Sequence, residues 1–197
     1  MTVRPFKIGI AGAHSTGKST FIDELQSCLS ANGLRVAVIR DLARAARSAG
    51  LPILDAQTVD TALWIVAEGI RREVEACLDH DVVLADRAVF DAVGYLEAAF
   101  AHSGRHTDLV RIARVRNLAI GYSHDYDAVV VTVLDPEIPL GPGRDTDLVF
   151  RRLAGERIQA LAVDLGRPFD LLTPATREVL CDDLTAVVRA HFSTPGA

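Results

Sequence analysis

Short apolar segments alternate along the chain with longer segments in which apolar residues recur every three or four positions. The short segments are rich in β-branched residues and predict strands, whereas the periodic segments predict amphipathic helices. The predicted strands span residues 6–11, 35–40, 82–85, 128–134 and 169–172. The predicted helices span residues 20–30, 43–49, 57–79, 89–101, 108–120, 146–165 and 174–191.

This alternation predicts an α/β fold. Strands joined by helices form a parallel sheet through right-handed crossovers, and the helices cover both faces of that sheet. We therefore expect a three-layer α/β/α sandwich around a central parallel sheet of about five strands. The 197 residues contain no internal repeat and no low-complexity linker, and they suffice for one domain, which we place at 1–197.

The stretch between the first predicted strand and the first predicted helix carries a specific motif. Gly12 to Ser19 matches G-x-x-x-x-G-K-[ST] at every fixed position. In such a loop the backbone N–H groups turn inward around a phosphate chain, and the helix N-terminus adds its dipole. We expect Lys18 to reach the β- and γ-phosphates of a nucleotide and the Ser19 hydroxyl to ligate Mg²⁺. The alternative is a glycine-rich turn with a chance lysine. The predicted nucleotide-binding residues are Gly12, Ala13, His14, Ser15, Thr16, Gly17, Lys18, Ser19 and Thr20.

With this motif, the predicted fold is that of a P-loop NTPase. Ligands of parallel α/β sheets bind beyond the carboxyl ends of the strands. At these positions the chain has the phosphate loop, Asp41, the pair Asp86-Arg87, and Asp135. Function is therefore expected at this one edge of the sheet.

The acid and the arginine that close the third predicted strand are candidates for metal and phosphate binding. An acid such as Asp86 can hold Mg²⁺ directly or through water, or it can instead cap the following helix. Arg87 can act as a forked donor to a phosphate or a substrate hydroxyl, or it can form a surface salt bridge. Asp91 and Tyr95 lie one turn apart on the next helix and face either the pocket or solvent. Asp91 is also a candidate substrate ligand.

The acid that ends the second strand is a candidate catalytic base. A kinase needs a carboxylate to accept the proton of the attacking hydroxyl, and Asp41 stands where that group belongs. The alternative is a helix cap. Arg44 follows at helical spacing and either holds an anionic substrate group or belongs to a solvated basic face. Whether Asp41 or Asp86 acts as base stays open at this point.

A loop with two glycines and three prolines, followed by an arginine-bearing helix, predicts a lid at about 136–157. Arginines that close over the γ-phosphate exclude water and stabilise the charge that moves during transfer. Arg144 is the first candidate for this contact and Arg151 the second. The alternative is an ordinary exposed loop with ion pairs.

Composition and charge restrict the partners and the setting. The net charge of −5 and the pI near 5.6 argue against a nucleic-acid-binding surface. Cys28, Cys77 and Cys181 lie far apart in the sequence and form no C-x-x-C pair, so we expect buried thiols in a reducing cytoplasm. We find no signal-peptide core and no apolar run near the roughly 20 residues that span a bilayer. We therefore expect a soluble, cytoplasmic protein with no membrane contact, and the sequence leaves homodimer formation open.

These motifs together resemble the P-loop kinases of small molecules, especially the nicotinamide riboside kinase-like ATPase family, and more distantly the thymidylate and deoxynucleoside kinases. The resemblance covers most of the chain. It rests on the loop Gly12 to Thr20, the acid-x-x-Arg element Asp41 to Arg44, Asp86-Arg87 followed by Asp91 and Tyr95, and Gly143-Arg144.

The resemblance implies a role for each matching residue. It implies that Asp86-Arg87 serve metal and substrate, that Asp41 is the base, and that Arg144, with Arg151 as a further candidate, is a lid arginine. The chain departs from these families in two ways. The acid after strand two is commonly Glu and here is Asp41, and the glycine-rich substrate signature of thymidylate kinases is absent.

We expect, on these grounds, a Mg-ATP-dependent kinase with ATP and Mg²⁺ as cofactors. Its acceptor is expected to be a small molecule, a nucleoside or nucleotide. One alternative is a nucleotide-hydrolysing switch, although the chain lacks the guanine-reading N-K-x-D motif. The other is a nucleotide-sensing regulatory module with little transferase activity. The sequence does not identify the acceptor or the pathway.

Overall fold

The computed structural model describes residues 4–105, 108–134 and 147–193. In this structure the strands and helices alternate as the sequence predicts, and their bounds agree within a few residues. The elements in chain order are β1 (Phe6–Ala11), α1 (Lys18–Ala31), β2 (Val36–Ile39), α2 (Leu42–Ser48), a short 3₁₀ turn (Leu54–Ala56), α3 (Val59–Asp79), β3 (Val82–Asp86), α4 (Asp91–Ser103), α5 (Leu109–Ser123), β4 (Ala128–Thr132), α6 (Leu148–Asp164), β5 (Asp170–Leu172) and α7 (Arg177–Ser193).

The five described strands form one parallel sheet in the order β2-β3-β1-β4-β5. The predicted α/β/α fold is thereby confirmed. β1 lies in the middle, and all six of its residues are buried, including Lys7, as expected for a central strand covered on both faces. The register pairs Ile10 with Asp86 and Ala11 with Val131. The loops that follow β1, β3 and β4 therefore begin side by side.

Alternate residues of the strands supply two hydrophobic cores, one on each face of the sheet. Val82 and Leu84 pack toward α1 and α7, whereas Val83 and Ala85 pack toward helices α2 to α6. This two-residue alternation is the one that a pleated strand imposes. The loop after β1 thus lies between two helical layers, and both can contact it.

Helix α3 is present as predicted, but its apolar repeat, Leu63, Val66, Ile70, Val74 and Leu78, coincides only in part with its buried face. Val74 and Leu78 belong to the repeat and are 53% and 79% exposed. The buried face instead includes Ala62 and Gly69, where α3 approaches its neighbours closely. A Cβ on Gly69 would lie 3.2 Å from Leu42 Cδ1. Small residues on this face therefore let α3 pack closely against its neighbours.

Two of the cysteines that are distant in sequence meet in the fold. The Sγ atoms of Cys28 on α1 and Cys181 on α7 lie 3.8 Å apart, so both remain thiols. Burial, together with the neighbouring Cys28 thiol, raises the pKa of Cys181 to about 12. The Cys181 thiol is therefore a poor nucleophile at neutral pH.

Within residues 4–105, 108–134 and 147–193, no helix is both long enough and apolar enough to span a membrane.

Candidate phosphate-binding site

The loop after β1 depends on its two motif glycines for different reasons. Gly12 has φ +135°, and a Cβ at this position would overlap Thr132 Oγ1 at the end of β4. Gly17 has φ +84°, and no atom of the described residues lies within 4 Å of a Cβ built there, so its backbone conformation is what requires glycine. The first glycine thus allows the loop to approach β4 closely, and the second lets the chain turn into α1.

Lys18 is folded back onto the loop from the first turn of α1. Its side chain is buried, and Nζ donates to the carbonyl oxygens of Gly12, at 2.7 Å, and of Ala13. It also lies 3.2 Å from Thr16 Oγ1. The ammonium group is therefore already inside the loop, where a phosphate chain needs a cation.

The first half of the loop is held from both sides by side chains. The carboxylate of Asp91 on α4 accepts from the N–H of Gly12 at 3.1 Å, and Thr132 Oγ1 donates to the carbonyl of Ala11 at 3.2 Å. One turn along α4, the hydroxyl of Tyr95 accepts from the N–H of His14 at 2.9 Å. The N–H groups of Gly12 and His14 therefore already have hydrogen-bond acceptors.

The second half of the loop has unused hydrogen-bond donors. The backbone N–H groups of Ser15, Thr16, Gly17 and Ser19 donate no hydrogen bond within the part of the chain that the structure describes. The Ser15 hydroxyl is likewise buried without a partner there. Unused donors gathered in one half of the loop fit a ligand rich in acceptor oxygens, and the buried Ser15 hydroxyl in particular is costly to leave without a partner. A nucleotide phosphate chain is such a ligand.

Arg151 on α6 contacts the outer side of the same loop. Its Nε donates to the carbonyl of His14 at 3.1 Å, and its Nη2 donates to the carbonyl of Ser15 at 2.6 Å. The residue is 3% exposed. The sequence predicts Arg151 as a lid arginine over the γ-phosphate, whereas the structure places its guanidinium against the loop backbone.

Arg87 and Asp91 form a partly buried cluster beside the loop. The Arg87 guanidinium stacks over the Tyr95 ring at 4.9 Å, and its Nη1 lies 3.8 Å from Asp91 Oδ2. Nη1 donates no hydrogen bond within the described residues. Burial raises the pKa of Asp91 to about 7, and the positive charges of Arg87 and Lys18 oppose that rise. Arg87 thus has an unused hydrogen-bond donor, whereas the Asp91 carboxylate is buried and bound to the loop backbone.

Asp86 does not cap the helix that follows it. Helix α4 begins only at Asp91, and no side chain of the described residues caps its first turn. Asp86 is partly buried, and its carboxylate makes no hydrogen bond or ion pair with the described residues. Of the two sequence interpretations, the structure therefore disfavours the cap and leaves the carboxylate available to a cation.

A buried polar cluster supports the loop between β3 and α4. The hydroxyl of Tyr126 accepts from the N–H of Val89 at 3.0 Å and donates to Glu73 at 2.8 Å. Burial raises the pKa of Glu73 to about 7, against the opposing effects of Tyr126, Lys7 and Tyr122. Tyr126 thus links Glu73 on α3 to Val89, which lies two positions after Arg87.

Asp41 and Arg44 lie at the exposed end of β2. They form an ion pair of 2.8 Å, with side chains 59% and 76% exposed. Asp41 is the residue before α2, yet its carboxylate caps no helical N–H group. The helix-cap interpretation is therefore wrong for Asp41, and its carboxylate is open to solvent.

Backbone strain also concentrates at this edge of the sheet. Four described non-glycine residues have positive φ, and three of them, Ser15, Asp41 and Arg87, follow strands β1, β2 and β3. Such conformations cost free energy and are concentrated at functional sites. The strained positions coincide with the candidate site residues predicted from the sequence.

A magnesium site here would have few protein ligands. Ser19 is exposed in the first turn of α1, and Asp86 is the last residue of the neighbouring strand β3. Within the described ranges, no group of three or more His, Cys, Asp or Glu side chains could hold a metal ion. Mg²⁺ commonly takes one or two protein ligands and completes its shell with phosphates and water, so Ser19 and Asp86 fit it. Residues 135–146, which include Asp135, Arg144 and the first part of the predicted lid, lie outside the described residues.

A family model described as an AAA domain matches residues 7–178 of the chain. The chain belongs to this AAA-domain family. The matched range begins within β1 and includes the phosphate loop, Asp41, Asp86-Arg87 and Arg151. Membership agrees with the P-loop geometry and supports nucleotide binding by this AAA-domain chain.

The fold also occurs among solved structures. One match is the crystal structure of the NadR protein in complex with NR, with a TM-score of 0.62 and 15% sequence identity. The alignment covers 98% of the AAA-domain chain and 53% of the NadR chain, so the chain spans about half the length of this relative. At this identity the likeness shows the fold alone. No protein with a curated description matches the chain at a significant level.

The comparisons support the predicted resemblance in its coarse form, a P-loop, kinase-like fold. They do not show the likeness to thymidylate kinases, which stays a prediction. The sequence missed the backbone contacts of Tyr95, Thr132 and Arg151. The only signals were the one-turn spacing of Asp91 and Tyr95 and the hydroxyl of Thr132 at the end of an apolar strand.

Proposed function

We propose that the chain is a Mg-ATP-dependent phosphotransferase with a small-molecule acceptor of the nucleoside or nucleotide class. The observation that carries this proposal is the set of unused N–H groups at Ser15, Thr16, Gly17 and Ser19, beside the buried Lys18. A phosphate-binding loop by itself also fits hydrolases and sensors. The proposed transfer to an acceptor molecule is therefore supported by the neighbouring acids and arginines.

Asp86, Arg87 and Asp41 supply the groups that transfer to an acceptor requires. Bound Mg-ATP supplies the γ-phosphoryl group, and the metal neutralises charge on the phosphates. Asp86 and the Ser19 hydroxyl would hold the metal, and Arg87 would donate to the phosphate or to the acceptor. The Asp41 carboxylate would accept the acceptor's hydroxyl proton as the acceptor oxygen bonds to phosphorus and the bond to the ADP oxygen breaks.

The fold relative and the family resemblance support the class of acceptor. NadR was solved in complex with NR, and the chain's motifs resemble those of the nicotinamide riboside kinase-like ATPase family. A compact acceptor would lie near Asp41 and Arg44, whose charged groups are open to solvent. We further propose that Arg144 contacts the transferred phosphate from the lid.

The test is ³¹P NMR of ATP and Mg²⁺ with the protein and pools of ribosides, deoxyribosides, their monophosphates and small sugars. We expect a new phosphoester or pyrophosphate resonance from one pool, and its absence with the Lys18→Ala variant. Inorganic phosphate alone would contradict transferase activity and favour a hydrolytic switch. No turnover in any pool, with ATP bound, would favour a nucleotide-sensing module.

A further inference from the structure

Arg151 is a buried cation whose hydrogen-bond partners in the described structure are backbone carbonyls. Its Nε and Nη2 bind the oxygens of His14 and Ser15, at 3.1 and 2.6 Å. Within the described residues it forms no ion pair with a carboxylate. Burying a charge is costly unless it is well paired, so two consecutive loop carbonyls are a specific and unusual choice of partner.

These two contacts fix the direction of the next two N–H groups. A trans peptide group is planar, so its C=O and N–H bonds point in opposite directions. When Arg151 holds the carbonyl of His14, the N–H of Ser15 points away from Arg151. The carbonyl of Ser15 determines the direction of the Thr16 N–H in the same way. Both N–H groups belong to the half of the loop that has unused donors.

We propose that Arg151 is a positioning residue that aims the N–H groups of Ser15 and Thr16 at the bound phosphate chain. It acts through the loop backbone and does not contact the γ-phosphate. The proposal rests on the proposed function only in taking a nucleotide as the ligand, which family membership supports independently. Arg151 thus orients the loop backbone from α6, although the sequence predicts it as a lid arginine.

The packing of α6 keeps the guanidinium in place. Near the start of α6, Asp147 caps the helix by accepting from the N–H of Phe150 at 2.9 Å. Two turns after Arg151, Ile158 packs directly on Gly94 of α4, where a Cβ would lie 3.1 Å from the Ile158 backbone nitrogen. The helix is therefore capped before Arg151 and packed against α4 after it, and both contacts stabilise the backbone that carries the guanidinium.

The geometry demands arginine and not merely a positive charge. A guanidinium presents several N–H donors in a fixed plane and can hold two neighbouring carbonyls at once. A lysine ammonium is a compact charge on a flexible stem and does not reproduce that fork. Arg151→Lys therefore keeps the charge while removing the alignment.

The test compares equilibrium binding of ADP and ATP to wild type and to Arg151→Lys by titration calorimetry. We expect both affinities to fall by a similar factor, about tenfold, because backbone N–H groups of the loop cradle the phosphates common to both ligands. Arg152→Lys is the matched control, since Arg152 is exposed and its nearest acid is Glu156 at 3.7 Å. We expect wild-type affinities for this control.

A loss confined to ATP would overturn the proposal, because it would place Arg151 on the γ-phosphate. Unchanged binding of both ligands would overturn it as well. If no acceptor is ever phosphorylated, the proposed transferase activity is wrong. The affinity for ADP, measured with Arg151→Lys, still tests the role of Arg151 in that case. The two failures are therefore distinguishable.

A measurement on wild type covers the case in which Arg151→Lys does not fold. In ¹⁵N-labelled protein, pyrophosphate should shift the amide signals of Ser15 and Thr16 more than those of Gly12 and His14, whose N–H groups are already bonded. The reverse pattern would overturn the proposal.

Discussion

The Tyr95 hydroxyl on α4 accepts a hydrogen bond from the backbone N–H of His14, at 2.9 Å. The Arg87 guanidinium lies over the ring of the same side chain, with its Cζ 4.9 Å from the ring centroid. Tyr95 therefore contacts both the phosphate loop and the arginine that is proposed to bind phosphate or acceptor. It is 6% exposed, so this relationship is part of the packed interior.

Tyr95→Phe should destabilise the protein while leaving the ring stack intact. Removing the hydroxyl leaves the buried N–H of His14 without that acceptor, which costs about 1–3 kcal/mol. Urea unfolding measures the change in the free energy of unfolding. Tyr95→Leu, which also removes the ring beneath Arg87, should cost more. Equal stability of Tyr95→Phe and wild type would show that the hydroxyl bond contributes nothing.

Gly94→Ala should destabilise the contact between α4 and α6. The added Cβ would overlap Ile158 Cγ1 and lie 3.1 Å from the Ile158 backbone nitrogen, so the helices must separate. Overpacking of this kind costs about 1–3 kcal/mol in urea unfolding. Gly121→Ala on α5 is the control, because no atom in the described part of the chain lies within 4 Å of its Cβ position. There we expect a gain of about 0.5–1 kcal/mol from helix propensity, and a loss in the control would contradict this account.

The buried carboxyl of Glu73 should make stability depend on pH. Burial raises its pKa in the folded protein from about 4.5 to about 7, with Tyr126, Lys7, Tyr122 and Asp125 as the charged or titratable groups around it. The folded state therefore holds a proton that the unfolded chain releases. Relative to Glu73→Gln, the wild-type free energy of unfolding should be highest below pH 4.5.

This advantage should fall by about 3 kcal/mol as the pH rises to about 7 and then level off. Urea unfolding of both proteins at several pH values measures it. Parallel pH profiles for the two proteins would show that Glu73 titrates normally.

Asp41→Asn and Asp86→Asn should separate the two proposed carboxylate roles. Asp41 is exposed and proposed as the base, so its amide variant should bind ATP normally while transfer falls by about 10²- to 10⁴-fold. Asp86 is proposed to hold the metal, so its variant should require more Mg²⁺ for half-maximal activity. Initial rates over a Mg²⁺ titration, with ATP affinity measured separately, test both. Loss of ATP binding in Asp41→Asn would show that the base has been misplaced.

Local pattern was sufficient to predict the elements and the edge where the site lies. The apolar run of β1, the loop motif that follows it and the periodic α1 each depend on residues close in sequence. In a parallel sheet, the positions after the strands must meet at one edge, so Asp41, Asp86 and Arg87 could be nominated without coordinates. The exposed Val74 and Leu78 show where periodicity misleads, because a repeat does not reveal which face of α3 meets its neighbours.

The sequence by itself thus determined the α/β alternation, the phosphate loop and its candidate acids, since hydrophobic period and motif spacing are local properties. Only the tertiary structure decided that Asp91, Tyr95 and Arg151 hold the loop backbone, and that Asp86 caps no helix. These contacts join residues that are from 79 to 137 positions apart. The packing of α4 and α6 creates them, and packing depends on the shapes of all the side chains between two helices, which no local pattern encodes.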